Sequence, residues 1–143
     1  MIQSKSKFYF LSFSWGIVMT LVGCIAALGL LIMRHKPNRW GYCWHFEFGE
    51  NWGGVNLGPV IITSKNPSRH TKSHEHGHSL QNCKFGPFMI IISLMSFGRY
   101  WYRELKYYKK GLKPPTAYDD AWYEGNASKV GEEFINWYYN NTK

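Results

Sequence analysis

Acidic side chains are scarce in this chain: nine Asp and Glu stand against seventeen Lys and Arg, a formal charge of +8 over 143 residues. An excess of that sign suits nucleic acid or an anionic membrane. The lysines flank apolar and aromatic runs instead of forming a separate stripe, and no nucleic-acid-binding motif is present. Nucleic acid is therefore not an expected partner, and the head groups of a lipid bilayer are. Cysteine is also rare. Cys24, Cys43 and Cys83 lack CxxC spacing, which argues against a zinc ribbon and a disulfide framework and leaves unpaired thiols as the expectation. There is no internal repeat and no long disordered tract. The length allows one small domain, or a membrane anchor plus a compact unit.

Against these absences one motif stands out, His74-Glu75-His76-Gly77-His78, an HExxH sequence. On a helix His74 and His78 lie at i and i+4 and share a face, where two imidazoles can hold one zinc ion. Glu75 beside them is placed to take a proton from water on the metal. Clustered histidines, here with His70 and His76, raise the odds of an accidental match, so a solvated polar helix or a non-catalytic metal-binding tract is the alternative. Asn66-Pro67-Ser68 is a break followed by a capping residue, which predicts a helix from about Ser68 to Asn82 carrying the motif. Gly77 costs that helix about 1 kcal/mol against Ala, and a small residue there suits close approach of another helix or of substrate.

Phe8 to Met33 carries no charge and is bracketed by Lys5 and Lys7 before it and Arg34, His35 and Lys36 after it. A bilayer core takes about 20 apolar residues in a helix, so residues 1–36 are expected to form an N-terminal transmembrane anchor. The run exceeds the apolar region of a cleaved signal peptide, and it stays apolar after Cys24, unlike a lipoprotein. The remaining 37–143 are expected to form a small α+β unit. Tyr42, Trp44, Phe46 and Phe48 alternate with Cys43, His45 and Glu47 as in a strand with one buried face, Gly49 to Gly54 supplies turn chemistry, and Val55 to Thr63 reads as the second strand of a hairpin, with Pro59 implying an edge or a bulge. An edge strand beside a zinc helix can pair with an extended peptide. Residues 85–98 form an apolar segment that is buried, re-entrant or spanning. Tyr100 to Lys113 mixes aromatic and basic residues, as at a membrane surface.

Two histidines need a third protein ligand, and the HExxHxxGxxH arrangement is absent, so it must come from farther along. Tyr118 to Tyr139 reads as a helix whose apolar side is Tyr118, Trp122, Val130, Phe134 and Trp137. Glu124 belongs to a different stripe with Ala121, Ser128 and Gly131, all small, which lets a carboxylate come close to a neighbouring helix. It ranks first among Glu124, Asp120, Asp119, Glu132 and Glu104. Tyr118, Tyr123 and His76 are candidates for stabilising an oxyanion, and the sequence does not select one.

The stretch Gly53 to Val60, then His74 to Gln81, then Phe85-Gly86-Pro87 with its apolar run, resembles a family of small, mostly uncharacterised bacterial membrane proteins with an HExGHxxQ helix and a C-terminal Glu-x-x-Ala-x-x-x-Gly pattern, met here by Glu124, Ala127 and Gly131. Asn82 departs from that pattern, where Ser is usual. The resemblance implies a glutamate-zincin-like site with His74, His78 and Glu124 as metal ligands, Glu75 as base and Zn2+ as cofactor. The expected function is that of a membrane-bound zinc peptidase acting on a peptide or protein; the alternative is a non-catalytic membrane protein binding metal or a partner through its histidines. Arg34, Lys36 and Arg39 outnumber Lys5 and Lys7, which places the site on the cytoplasmic side of a bacterial cytoplasmic membrane.

Overall fold

A computed structural model describes residues 2–142, and it is α+β. The first departure from expectation is at the N-terminus. The apolar run is not one helix but two, α1 (Lys5–Phe13) and α2 (Ile17–Ile32), bent by 95°. The bend is fixed by a residue far along the chain. Asn82 donates from Nδ2 to the carbonyl of Gly16 at 3.2 Å, and the backbone comes so close that a Cβ on Gly16 would lie 2.9 Å from Asn82 Cγ. Thr20 Oγ1 closes the corner by donating to the Ser12 carbonyl at 2.7 Å. Among the described residues no single helix is long and apolar enough to cross a membrane; α1 and α2 together pass by length and composition only. Both pack on the rest of the chain, α1 through Phe8 in the largest core cluster and α2 through Met19 and Leu30.

The expected hairpin is replaced by a four-stranded mixed sheet. Its strands are β1 (Asn38–Trp40), β2 (Cys43–Glu47), β3 (Gly54–Leu57) and β4 (Val60–Thr63), in the order β1-β2-β4-β3. β2 does not pair with β3, its successor in the chain; it runs parallel to β4, with Trp44 opposite Val60 and Phe46 opposite Ile62. The segment read as one second strand folds back on itself at Gly58-Pro59, where Gly58 has φ +65° and Asn56 Nδ2 donates to its carbonyl at 2.9 Å. Pro59 thus sits in the turn, and β3 becomes an edge strand, as β1 is at the other side of the sheet. The one-faced alternation of β2 also fails, because both faces are covered. Phe46, Val60 and Ile62 meet Leu30 of α2, while Cys43 and Ile61 meet Leu80 and Phe134 on the other side. All three cysteines are free, Cys43 and Cys83 buried and Cys24 exposed.

The motif helix, α3 (Arg69–Phe85), begins where capping predicts, with Ser68 Oγ accepting from the Thr71 amide at 3.0 Å. It runs three residues past Asn82, until Gly86 at φ +57° turns the chain into α4 (Met89–Lys106). The last helix, α5 (Trp122–Asn141), starts later than expected, after a short 3-10 turn over Tyr118–Asp120. Its buried stripe is the one with small residues, Glu124, Ala127, Ser128 and Gly131, joined by Phe134 and Ile135; Trp122, assigned to the apolar side, is exposed. α3 and α5 approach closely enough that a Cβ on Gly77 would overlap the Ala127 carbonyl and one on Gly131 would overlap that of Ser73. This helix pair positions the site.

Candidate metal centre

His74, His78 and Glu124 come together across the α3–α5 contact, with their ligand atoms all within 4.8 Å of one another. His74 Nε2 lies 3.1 Å and His78 Nε2 3.2 Å from the same oxygen, Glu124 Oε2. Glu124 is fully buried, and both imidazoles are nearly so. The spacing is close to the roughly 3.3 Å between neighbouring ligands of a tetrahedral ion with bonds of about 2.0–2.1 Å.

The hydrogen bonds behind the rings set what they present to Glu124. Ser128 Oγ donates its single proton to Asp119 Oδ2 at 2.8 Å, so at 2.8 Å from His74 Nδ1 it must accept. Gln81 donates from Nε2 to the Tyr123 carbonyl at 2.8 Å and to Asn126 Oδ1 at 3.1 Å, which turns its Oε1 toward His78 Nδ1, also at 2.8 Å. Both imidazoles therefore carry a proton on Nδ1, and both Nε2 atoms point at a carboxylate oxygen. Two ring lone pairs and an anionic oxygen crowded together in a buried site demand a cation between them, either a proton or a metal ion. The titration of the site follows the same logic. Burial alone pushes Glu124 up, but its hydrogen bonds to His74 and His78 and their charge bring it down to about 2. Burial alone pushes His78 down, and the Glu124 bond with the Glu75 and Glu124 charges overrides it, so its pKa ends above the ordinary histidine value.

Glu75 stands beside this trio without joining it. Its carboxylate packs against β3, where a Cβ on Gly54 would lie 2.8 Å from Oε1. Burial, aided by the charge of Glu124, raises its pKa despite the opposing pull of His78 and His74. A carboxylate tuned upward is a better proton acceptor near neutral pH than an ordinary one. All four residues line a cavity of about 550 Å³ whose walls include Trp52 to Asn56 of the sheet edge and Met89, Ser93, Ser96 and Tyr100 of α4.

The three oxyanion candidates separate cleanly. Tyr118 lines the cavity, and burial with the Glu124 charge pushes its pKa up, so it keeps its proton. Tyr123 is buried in a cluster with Met19, Met89 and Ile92. His76 points away from the cavity: it stacks on Phe134 at 4.4 Å, and its Nε2 accepts from the Tyr42 amide at 3.3 Å. Of the other carboxylates weighed as ligands, Asp119 acts on His74 through Ser128, Asp120 accepts from the Ala117 amide at 2.8 Å, and Glu132 pairs with exposed His70 at 2.7 Å. Sequence reasoning did not assign roles to Gln81, Ser128, Ser96 or Gly54. Gln81 could have been found, because it lies one turn after His78 on the same helix face. Ser96, which donates to Glu124 Oε1, and Gly54 carry no comparable signal.

No protein-family model matches this chain, and neither a curated protein nor a solved structure does. The function rests on the site itself.

Proposed function

We propose that the protein is a membrane-bound zinc peptidase. The observation that carries this reading is the convergence of two Nδ1-protonated imidazoles and one buried carboxylate oxygen, at 3.1 and 3.2 Å, beside a second carboxylate that stays out of the cluster. Three protein ligands of N and O type with an open fourth position match catalytic zinc better than structural zinc, which is closed by four. His74, His78 and Glu124 would hold the zinc, which when bound would supply a Lewis acid able to lower the pKa of water toward about 7 and to polarise a carbonyl.

The remaining work falls to the chain. Glu75 receives the proton of the attacking water on its carboxylate and passes it to the leaving amine. Tyr118, protonated and in the cavity wall, donates a hydrogen bond to the developing oxyanion. Ser128 and Gln81 hold the rings in the tautomer that leaves Nε2 free. The free edge of β3 offers backbone donors and acceptors to an extended peptide, which explains why an edge strand sits over the motif helix. The site is assigned to the cytoplasmic face, where anionic lipid meets the positive charge of the chain.

The test is zinc content per chain of detergent-purified protein with His78→Ala and Glu124→Ala in parallel, and peptide cleavage by the parent against Glu75→Gln. One zinc in the parent, lost in both ligand variants and kept in Glu75→Gln without turnover, is the expected result. Well-folded parent protein that takes up no zinc sinks the reading. Unchanged function in Glu75→Gln would favour a metal-binding protein without catalysis.

A further inference from the structure

α4 has two faces with different destinations. Met89, Ser93, Ser96 and Tyr100, spaced by four, three and four residues, line the metal cavity. On the other side Ile90, Ile91, Leu94, Met95 and Trp101 are exposed, Leu94 at 66%. α2 presents a similar outer face of Leu21, Val22, Ile25, Leu28 and Ile32, with Ile25 at 73% and Ile32 at 74%. The two helices meet at a buried seam of Met19, Met89 and Ile92, so their apolar outer faces flank one line. A soluble monomer rarely leaves so many large apolar side chains exposed on adjoining helices.

The charge around this surface identifies its occupant. Arg34 and Lys36 follow α2, and Lys106, Lys109, Lys110 and Lys113 follow the apolar part of α4, interleaved with Tyr102, Tyr107 and Tyr108. Apolar side chains bordered by aromatic and basic ones match an anionic bilayer, with rings at head-group depth and ammonium groups on phosphates. Full crossing does not fit. α2 has 16 residues, about 24 Å of helix against a hydrocarbon core of about 30 Å. Its inner face is fastened to the sheet: a Cβ on Gly23 would overlap the Leu57 carbonyl, and Leu30 packs on Phe46, Val60 and Ile62. A crossing α2 would carry β3 with it and bring an unpaired strand edge into hydrocarbon, where backbone groups find no partner.

We propose that the outer faces of α2 and α4 lie in one leaflet of an anionic bilayer without crossing it, and that the metal cavity takes an extended segment of a polypeptide held in that same membrane. The substrate part rests on the peptidase reading; the docking part does not. α4 is the shared wall, with lipid on one side and the cavity on the other, so a chain emerging from the bilayer beside α4 meets the β3 edge within the thickness of one helix. Apolar side chains of that segment would lie on Met89 and Phe97, and its backbone on Gly53 to Asn56.

Two measurements test it. Cys24 is the one exposed cysteine, on α2, and takes an environment-sensitive fluorophore; Leu94→Cys and Glu50→Cys in a Cys24→Ser background place the same label on α4 and in the exposed connection between β2 and β3. In vesicles of phosphatidylglycerol and phosphatidylcholine with spin-labelled acyl chains, emission at 24 and at 94 should fall by roughly half while that at 50 stays unchanged. Quenching at 24 with position 94 still open to aqueous iodide would overturn the shared lipid face in favour of a lone anchor. The second measurement uses zinc-loaded Glu75→Gln and a synthetic peptide with a span of about 20 apolar residues followed by an extended tail bearing a photo-crosslinking side chain. Crosslinks to residues 53–56 or 89–100 should exceed those of the same tail without its span by about tenfold. Equal crosslinking overturns the substrate class while leaving a peptidase intact. Failure of the peptidase reading shows separately, as parent protein without zinc, and leaves the quenching result to stand or fall alone.

Discussion

Replacing Gly77 by alanine sets two effects of opposite sign against each other. In an isolated helix alanine is favoured over glycine by about 1 kcal/mol, so helix propensity alone predicts a stabilised protein. The structure predicts the reverse. A Cβ on Gly77 would overlap the carbonyl oxygen of Ala127, a backbone atom that no rotamer change can move away. Carbon and oxygen in such contacts normally stand about 3.3 Å apart or more, so α5 must retreat by roughly 1 Å. Overpacking of that kind costs about 1–3 kcal/mol, which leaves a net loss of up to about 2 kcal/mol after the gain in propensity. The retreat also opens the metal centre. Nε2 to Oε2 separations of 3.1 and 3.2 Å become about 4 Å, beyond the tetrahedral spacing. Zinc affinity should fall by at least about tenfold. Urea unfolding of zinc-free protein reads the first effect, and competition with a chelator of known affinity reads the second. Gly77→Ala protein as stable as the parent and binding zinc equally well would refute the close α3–α5 approach and the account of the site built on it.

Gln81→Leu and Ser128→Ala each remove the acceptor from one Nδ1–H and should weaken zinc binding by about 10–100-fold with the fold retained, measured by the same competition. Gly54→Ala presses a methyl on the Glu75 carboxylate 2.8 Å away, so turnover should drop at least about tenfold while zinc content stays at the parent level. His76 is buried between Phe8 and Phe134, and burial takes its pKa down to about 3 from 6.5. Because the unfolded chain binds that proton at 6.5 and the folded chain does not, stability is full above pH 6.5 and declines as pH falls below it, by at most about 1.4 kcal/mol per unit. Urea unfolding at pH 6.5 and 5 should show a loss up to about 2 kcal/mol larger in the parent than in His76→Phe, and an equal loss in both would contradict the buried neutral ring.

Local chemistry was readable from the chain alone. The i, i+4 histidines, the Ser68 cap and the small residues around Glu124 report on one helix at a time, and helical geometry is set by neighbours in sequence. They gave the motif helix and its start, and ranked Glu124 first among the carboxylates that could approach it. What depended on distant partners was misread or not visible. The break in the apolar run comes from Asn82 reaching Gly16 across 66 positions, and the face of β2 that alternation had left to solvent is covered where Cys43 and Ile61 meet Leu80 of α3 and Phe134 of α5. Which face of α5 is buried was decided by Gly77 meeting Ala127, where backbone-to-backbone contact outweighs the burial of Trp122. The grouping of His74, His78 and Glu124 was therefore legible in the sequence. The tautomers of His74 and His78, the pKa of Glu75 and the edge position of β3 arise only once the chain is folded, because each depends on groups that nothing but the tertiary structure brings within hydrogen-bonding or Coulombic range.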